Sequence, residues 1–293
     1  MYNEERKKAY LAKATNKKNA VMRFNEIEPF EERLGKDLCE MSKEELQSIA
    51  DQALGVLPSS LVVSVDIIVS YRKWCEKNGY AVFPLEYPIR LDPTKRIRQC
   101  MVPSPKELQT ILDETFDPPG RETVDCLYRC FFWMAFAGIP SREEALNVKT
   151  EEVDLENLII RHGGLLYELD YLALPSFRIA CTVDSFFYEH PKYRKLIRRK
   201  RMESPYLMRS LRSKKISRGA FQKALHDHLT KYEKGARISY HRVWYSGLFY
   251  RAYQMEQEGF PPNFDSVRFA KMSQNRKYDI KMDYAAWKKA FSL

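Results

Sequence analysis

Ile238-Ser239-Tyr240-His241-Arg242-Val243-Trp244-Tyr245-Ser246-Gly247 is the stretch on which the reading of this chain turns. Tyr240, Trp244 and Leu248 fall at i, i+4 spacing, so one face of a helix carries large apolar rings and the segment reads as the opening of a buried, aromatic helix. It also closes the most basic part of the chain. Residues 191–242 hold 17 Lys and Arg against 3 Asp and Glu, whereas the whole chain is only +10, so the remainder is net negative. The positive charge is one localised field. Such a field suits a polyanion, because neutralising phosphates releases condensed counterions. A solvated face is the competing reading. The size of the excess, and its interleaving with Tyr193, Tyr206, Phe221 and Tyr240, favours nucleic acid.

Working outward, 293 residues suit two ordinary domains, and 44% hydrophobic with 13% aromatic content supplies real cores rather than a disordered chain. The longest uncharged apolar run, Cys130 to Pro140, spans 11 residues, against the roughly 20 needed to cross a bilayer. The first residues, Met1-Tyr2-Asn3-Glu4-Glu5-Arg6-Lys7-Lys8, lack the apolar core of a signal peptide. Six cysteines without a C-x-x-C pattern fit reduced thiols in a cytoplasmic protein. Cys126 and Cys130 are one helical turn apart, but no second pair lies at a ligand spacing, so they read as core. No metal, small-molecule cofactor or membrane partner is expected.

The pattern along the chain is mainly helical. Residues 2–35 carry helical periodicity. Ser42-Lys43-Glu44-Glu45 is a capping box opening a helix to about Leu54, and an apolar helix from Ser60 to Lys77 stops at Gly79. Pro84, Pro88, Pro93, Pro103 and Pro105 mark an extended basic linker that also carries Arg90, Lys95, Arg96 and Arg98. Ser104-Pro105-Lys106-Glu107 and Ser141-Arg142-Glu143-Glu144 are two more capping boxes. Between them, residues 121–137 are apolar nearly all round, as in a central core helix. Val153 to Leu172, with Gly163-Gly164 in its middle, reads as a β-hairpin or three short strands. Beyond Pro175 the chain is expected to return to helix through the basic region, and Tyr284 to Phe291 forms a closing amphipathic helix.

This order resembles the tyrosine recombinases, the phage integrases. Phe132-Trp133-Met134-Ala135-Phe136-Ala137-Gly138-Ile139, followed by Glu144-Ala145-Leu146-Asn147-Val148 and Glu152-Val153-Asp154-Leu155-Glu156, looks like the family's Gly-x-Arg helix start and the approach to its hairpin. His241-Arg242-Val243-Trp244-Tyr245 looks like its His-x-x-Arg box, and Tyr278 and Tyr284 fall near where its nucleophile belongs. The resemblance implies a mainly α fold with a small β-hairpin or sheet. Its parts are a SAM-like, core-binding N-terminal helical bundle (1–83), a basic proline-rich linker (84–104) and a degenerate tyrosine-recombinase-like domain (105–293).

The chemistry of that family demands residues this sequence lacks. A tyrosine attacks a phosphodiester, and two bidentate Arg clamps, assisted by Lys and by His or Trp, hold the extra charge of the transition state. Here the first Arg position holds Pro140 or Ser141, with Arg142 out of register, and the second, three after His241, holds Trp244. No Lys occurs from Val153 to Leu172, and no His follows His241, leaving Trp287 as the stand-in. Losing one transition-state donor costs about 3–4 kcal/mol. Arg142, His241, Arg242, Tyr278 and Tyr284 are therefore vestigial candidates rather than a catalytic set. His241 reads either as a surviving phosphate contact or as a histidine packed on the aromatic core. Tyr284 reads as core and Tyr278 as the better nucleophile should any chemistry survive.

The expectation is a non-catalytic protein that binds double-stranded DNA in the bacterial nucleoid and self-associates on it. The resemblance extends to degenerate prophage proteins that look like repressors of the lytic cycle. The alternatives are a divergent active integrase and, more remotely, an RNA-binding or protein-interaction module. The DNA face is expected to comprise Arg96, Arg98, Arg194, Lys195, Arg198, Arg199, Lys200, Arg201, Arg209, Arg212, Lys214, Lys215, Arg218, Arg237, His241 and Arg242.

Overall fold

Ser42, Ser104 and Ser141 each start a helix as their spacing to an acidic residue predicts. The Ser42 hydroxyl accepts from the Glu45 amide at 3.3 Å while the Glu45 carboxylate accepts from the Ser42 amide at 2.7 Å. Ser104 accepts from the Glu107 amide at 3.3 Å and Ser141 from the Glu144 amide at 3.1 Å. Each bond satisfies an amide that the first helical turn leaves without a partner. The chain was analysed as a computed structural model that describes residues 1–52, 55–84, 89–90, 92–189, 196–209, 215–230, 238–264 and 277–293. It divides into two compact units, Met1–Gln99 with Asn275–Leu293, and Cys100–Gln274. The fold is mainly helical with small antiparallel sheets. No described helix is long and apolar enough to cross a membrane.

The first unit contains α1 (Glu4–Lys13), α2 (Lys17–Leu34), α3 (Lys43–Gln52), α4 (Pro58–Lys77), α5 (Thr94–Cys100) and α12 (Lys277–Phe291). Its core gathers Phe24, Ile27, Leu46, Ile68, Tyr71 and Cys75. Within that apolar interior Lys7 of α1 pairs with Glu31 of α2, both fully buried, and Glu31 also accepts from the Leu38 amide at 3.1 Å. Burial still dominates at Glu31, whose carboxyl is pushed up to about 7. Arg72 of α4 donates to the carbonyls of Leu38, Met41 and Phe83, so one charged side chain ties the connection between α2 and α3 to the segment that follows α4. α4 ends as expected, with Gly79 at φ 77°, a conformation cheap only for glycine.

Two features of this unit differ from the sequence reading. The span 84–104 is not extended throughout, because Thr94–Cys100 forms α5. The last helix does not belong with residues 105–274. It packs on α4, where Asp283 accepts from the Ser59 amide at 2.9 Å and the Ser59 hydroxyl at 2.6 Å and so caps the start of α4. Trp287 is fully buried in this unit.

The second unit contains α6 (Pro105–Thr115), α7 (Asp125–Phe136), α8 (Arg142–Asn147), β1 (Val153–Asp154), β2 (Ile159–His162), β3 (Leu165–Glu168), α9 (Leu174–Thr182), β4 (Ser185–Glu189), β5 (Leu196–Lys200), α10 (Arg218–Leu229) and α11 (Tyr240–Gln257). As expected, α7 is the central helix, buried continuously from Cys126 to Phe136. α9 and α11 pack against it. The approach of α11 is backbone-close: a Cβ on Gly247 would lie 2.0 Å from the Phe136 carbonyl oxygen. Arg129 is fully buried on α7 and donates to the carbonyls of Leu112, Phe116 and Asp117 and to the Asp113 carboxylate, capping the end of α6. β1, β2 and β3 form an antiparallel sheet in that order, with Ile160 opposite Tyr167.

The basic region departs from the helical expectation. Its first described part is β5, paired antiparallel with the aromatic strand β4 in the register Phe186↔Arg199 and Phe187↔Arg198. The Ser-Phe-Phe-Tyr-Glu run supplies rings that suit a pleated surface, and pairing draws the following Leu-Ile-Arg-Arg-Lys run into strand with it.

Candidate nucleic-acid interface

In the second unit, charge is presented by three local devices. β5 exposes Arg198, Arg199 and Lys200. Arg198 is held in place: its Nε donates to the Ser185 hydroxyl at 2.5 Å, its guanidinium lies 5.4 Å over the Phe187 ring, and it reaches the Glu122 carboxylate at 3.5 Å. Lys215 sits 5.0 Å over the Tyr206 ring. Arg218 is the exposed first residue of α10, where Ser217 accepts from the Ala220 amide at 3.3 Å. Arg198 and Lys215 are thus long cations held against aromatic or hydroxyl neighbours, the kind of side chain that suits contacts to a phosphate backbone.

Arg201 is a correction. It is only 4% exposed and its guanidinium donates to the carbonyls of Ala180 (2.7 Å), Val183 (3.2 Å) and Leu207 (3.0 Å) while lying 4.5 Å over the Phe186 ring. Burial, then the neighbouring charge of Arg209, presses it down to about 10. With its donors turned inward it ties the hairpin to α9 and is not part of a DNA face. Arg209 is half-buried and donates to the Ser204 carbonyl at 3.4 Å. In the first unit Arg96 is half-buried, and Arg98 donates to the Ala290 carbonyl, which turns it toward the end of α12. Arg194, Lys195, Arg212, Lys214 and Arg237 lie outside the described residues.

The start of α11 is fixed by its rings. Ser239 accepts from the Arg242 amide at 3.4 Å. The Tyr240 hydroxyl donates to the Ile139 carbonyl at 2.8 Å, and the Trp244 indole donates to the Gly138 carbonyl at 3.0 Å. Trp244 is 3% exposed, packed as its i, i+4 stripe predicts. His241 points outward from the same turn. Partial burial, then the nearby charge of Arg142, holds its imidazole below the ordinary value. Arg142 is itself lowered by burial and by Arg218, so Arg142, Arg218 and His241 sit in one electrostatic neighbourhood assembled from α8, α10 and α11. Arg242 is half-buried beside it.

Tyr284 is 4% exposed, stacked on Trp287 at 6.2 Å with Lys288 over its ring, within the first unit. It is a core residue. Tyr278 lies in the first turn of α12, its side chain outside the described residues. Asp37, Cys39 and Cys75 form the one metal-ligand-like group among the described residues. Asp37 already accepts from Asn3 and Tyr71 at 3.1 Å each, and Arg6 lies 3.3 Å from the Cys39 sulfur. A guanidinium at that distance occupies the place of a cation, and the group reads as a buried hydrogen-bond hub.

Sequence reasoning missed Arg129, Arg72 and Gln222. The first two are cations inside apolar surroundings and carry no periodic signal. Gln222 matters only because of what it meets across α8 and α10. Residues 1–77 match the family model described as MrpR, N-terminal core-binding domain. This match covers the first four helices and agrees with the integrase-like, DNA-binding N-terminal bundle expected from the sequence. No curated protein matches the chain.

Proposed function

We propose that this protein binds double-stranded DNA without cleaving it and acts as a transcriptional repressor of prophage lytic genes. The observation that carries the reading is Trp244. Where an active tyrosine recombinase would present a guanidinium to the scissile phosphate, this chain holds an indole whose only N–H is spent on the Gly138 carbonyl. Tyr284 lies within a core, and the hairpin carries no lysine. The core-binding match and the anchored cations of β5 support the DNA-binding half of the proposal. The repressor half rests on the resemblance to lytic-cycle repressors.

The test is incubation with supercoiled and nicked DNA followed by denaturing electrophoresis, alongside footprinting on the source genome. Protection of discrete sites upstream of genes, with no covalent adduct, is the expected result. An adduct lost in Tyr278→Phe would establish the divergent recombinase instead.

A further inference from the structure

Arg142 and Arg218 head different helices and converge on one neutral acceptor. With the Gln222 amide oriented so that its oxygen faces both guanidiniums, that oxygen accepts from Arg218 Nε at 3.2 Å and from Arg142 Nη1 at 3.1 Å. No carboxylate among the described residues lies within ion-pair distance of either arginine. Elsewhere the fold pairs or encloses its converging cations: Arg129 has Asp113, Lys7 has Glu31, and Arg201 is ringed by carbonyls. Here two like charges share one amide, and Arg142 is half-buried. Their mutual repulsion stands second only to burial among the causes that lower Arg142. Each guanidinium has five N–H donors in a planar fork, and Gln222 takes one from each. The remaining donors suit a tetrahedral group with more than one anionic oxygen, since charge-assisted Arg–phosphate bonds are the strong, directional kind.

We propose that Arg142 and Arg218, positioned by Gln222, form a two-guanidinium clamp for a single phosphoryl group. The recognised chemistry is the anionic phosphoryl oxygen, from a DNA backbone diester or a free phosphate monoester. The diester source rests on the DNA-binding reading above; the clamp itself does not. Arg142 was out of register for the recombinase chemistry, and Arg218 and Gln222 lie outside every motif that carried the resemblance, so the clamp is this chain's own arrangement.

The decisive variant is Gln222→Glu in the full-length protein. It is nearly isosteric and places a carboxylate between the two guanidiniums, which keeps them paired while filling the clamp. Two titrations are read on the parent, Gln222→Glu, Arg142→Gln and the double variant. One is DNA binding as a function of salt. The other is thermal stabilisation by inorganic phosphate against chloride at matched ionic strength.

A diester clamp predicts that Gln222→Glu weakens DNA binding about tenfold, flattens the log–log salt slope by about 0.9, and adds nothing in the Arg142→Gln background. A monoester clamp predicts that phosphate raises the melting temperature of the parent and not of Gln222→Glu, with DNA binding unchanged. Either result supports the clamp. A parent that binds DNA, with Gln222→Glu melting no lower and matching it in both titrations, overturns the clamp and leaves the DNA reading standing. A parent that fails to bind DNA overturns that reading, and the phosphate titration then decides the clamp alone.

Discussion

The indole Nε1 of Trp244 donates to the carbonyl oxygen of Gly138 at 3.0 Å. Gly138 has φ 99°, a backbone conformation that L side chains rarely adopt, and it ends the run that α7 begins. One turn earlier the Tyr240 hydroxyl donates to the next carbonyl, that of Ile139, at 2.8 Å. Two aromatic side chains of α11 thus bind successive carbonyls at the turn leading into α8. Those carbonyls would otherwise be buried without partners, which costs about 1–3 kcal/mol each. The residue that occupies the second clamp position is therefore part of the frame that sets where Arg142 begins its helix.

Replacing Trp244 by Arg should destabilise the second unit by about 3–5 kcal/mol, the range for losing a buried large aromatic, because a charged guanidinium would take the place of a buried, packed indole. Trp244→Phe removes only the N–H and part of the ring, and should cost about 1–3 kcal/mol through the orphaned Gly138 carbonyl. Thermal and chemical denaturation check both. A Trp244→Arg protein as stable as the parent and able to form a covalent DNA adduct would overturn the non-catalytic proposal.

Exchanging Arg198, Arg199 and Lys200 together for Ala should weaken DNA binding for all sequences alike and lower the log–log salt slope by up to about 3. Arg201→Ala should behave differently. It vacates a buried site that holds three carbonyls, so denaturation should reveal a loss of several kcal/mol, while the salt slope of the folded fraction stays put. Salt titrations of the two variants side by side separate surface charge from structural charge.

His241 titrates with a definite sign. Its folded-state value lies below the ordinary 6.5, so between the two values the unfolded chain holds the extra proton and stability falls as pH drops. The contribution is fully present above 6.5 and lost as pH passes down through the folded value. His241→Gln should remove that part of the pH dependence of unfolding. An NMR titration of the imidazole should place its midpoint below 6.5 in the free protein and move it upward when phosphate or DNA fills the clamp, because an anion offsets Arg142. A midpoint that ignores both ligands would argue against the clamp.

Gly247→Ala should destabilise the protein although Ala is the better helix former by about 1 kcal/mol. The new methyl would lie 2.0 Å from the Phe136 carbonyl oxygen, a backbone atom that moves only with its helix. Separating α7 from α11 costs about 1–3 kcal/mol or more on the scale of overpacked cores. Equilibrium denaturation of this single variant, with circular dichroism to confirm that helix content is retained, checks the balance.

What the sequence by itself determined is local. The three Ser-x-x-Glu boxes, the glycine stop after α4, the all-round apolarity of α7 and the Tyr240–Trp244–Leu248 stripe depend on residues three or four apart, and each stands where the pattern predicts. The core-binding match at residues 1–77 agrees with the helical bundle read from that periodicity. Only the tertiary structure decided which cations face outward. Arg198 and Arg201 sit three apart in one basic run, yet the first lies over an exposed strand and the second is enclosed by α9 and the Leu207 carbonyl. The same holds for the last helix, which joined α4 through Asp283 and Ser59, and for Arg142 and Arg218, which meet only because α8 and α10 pack. Helix starts and stops arise from bonds within one turn, whose partners are visible in any short window. Burial of a charge, or its convergence with another, depends on neighbours brought from far along the chain, and periodicity records which face is apolar without recording what lies against it.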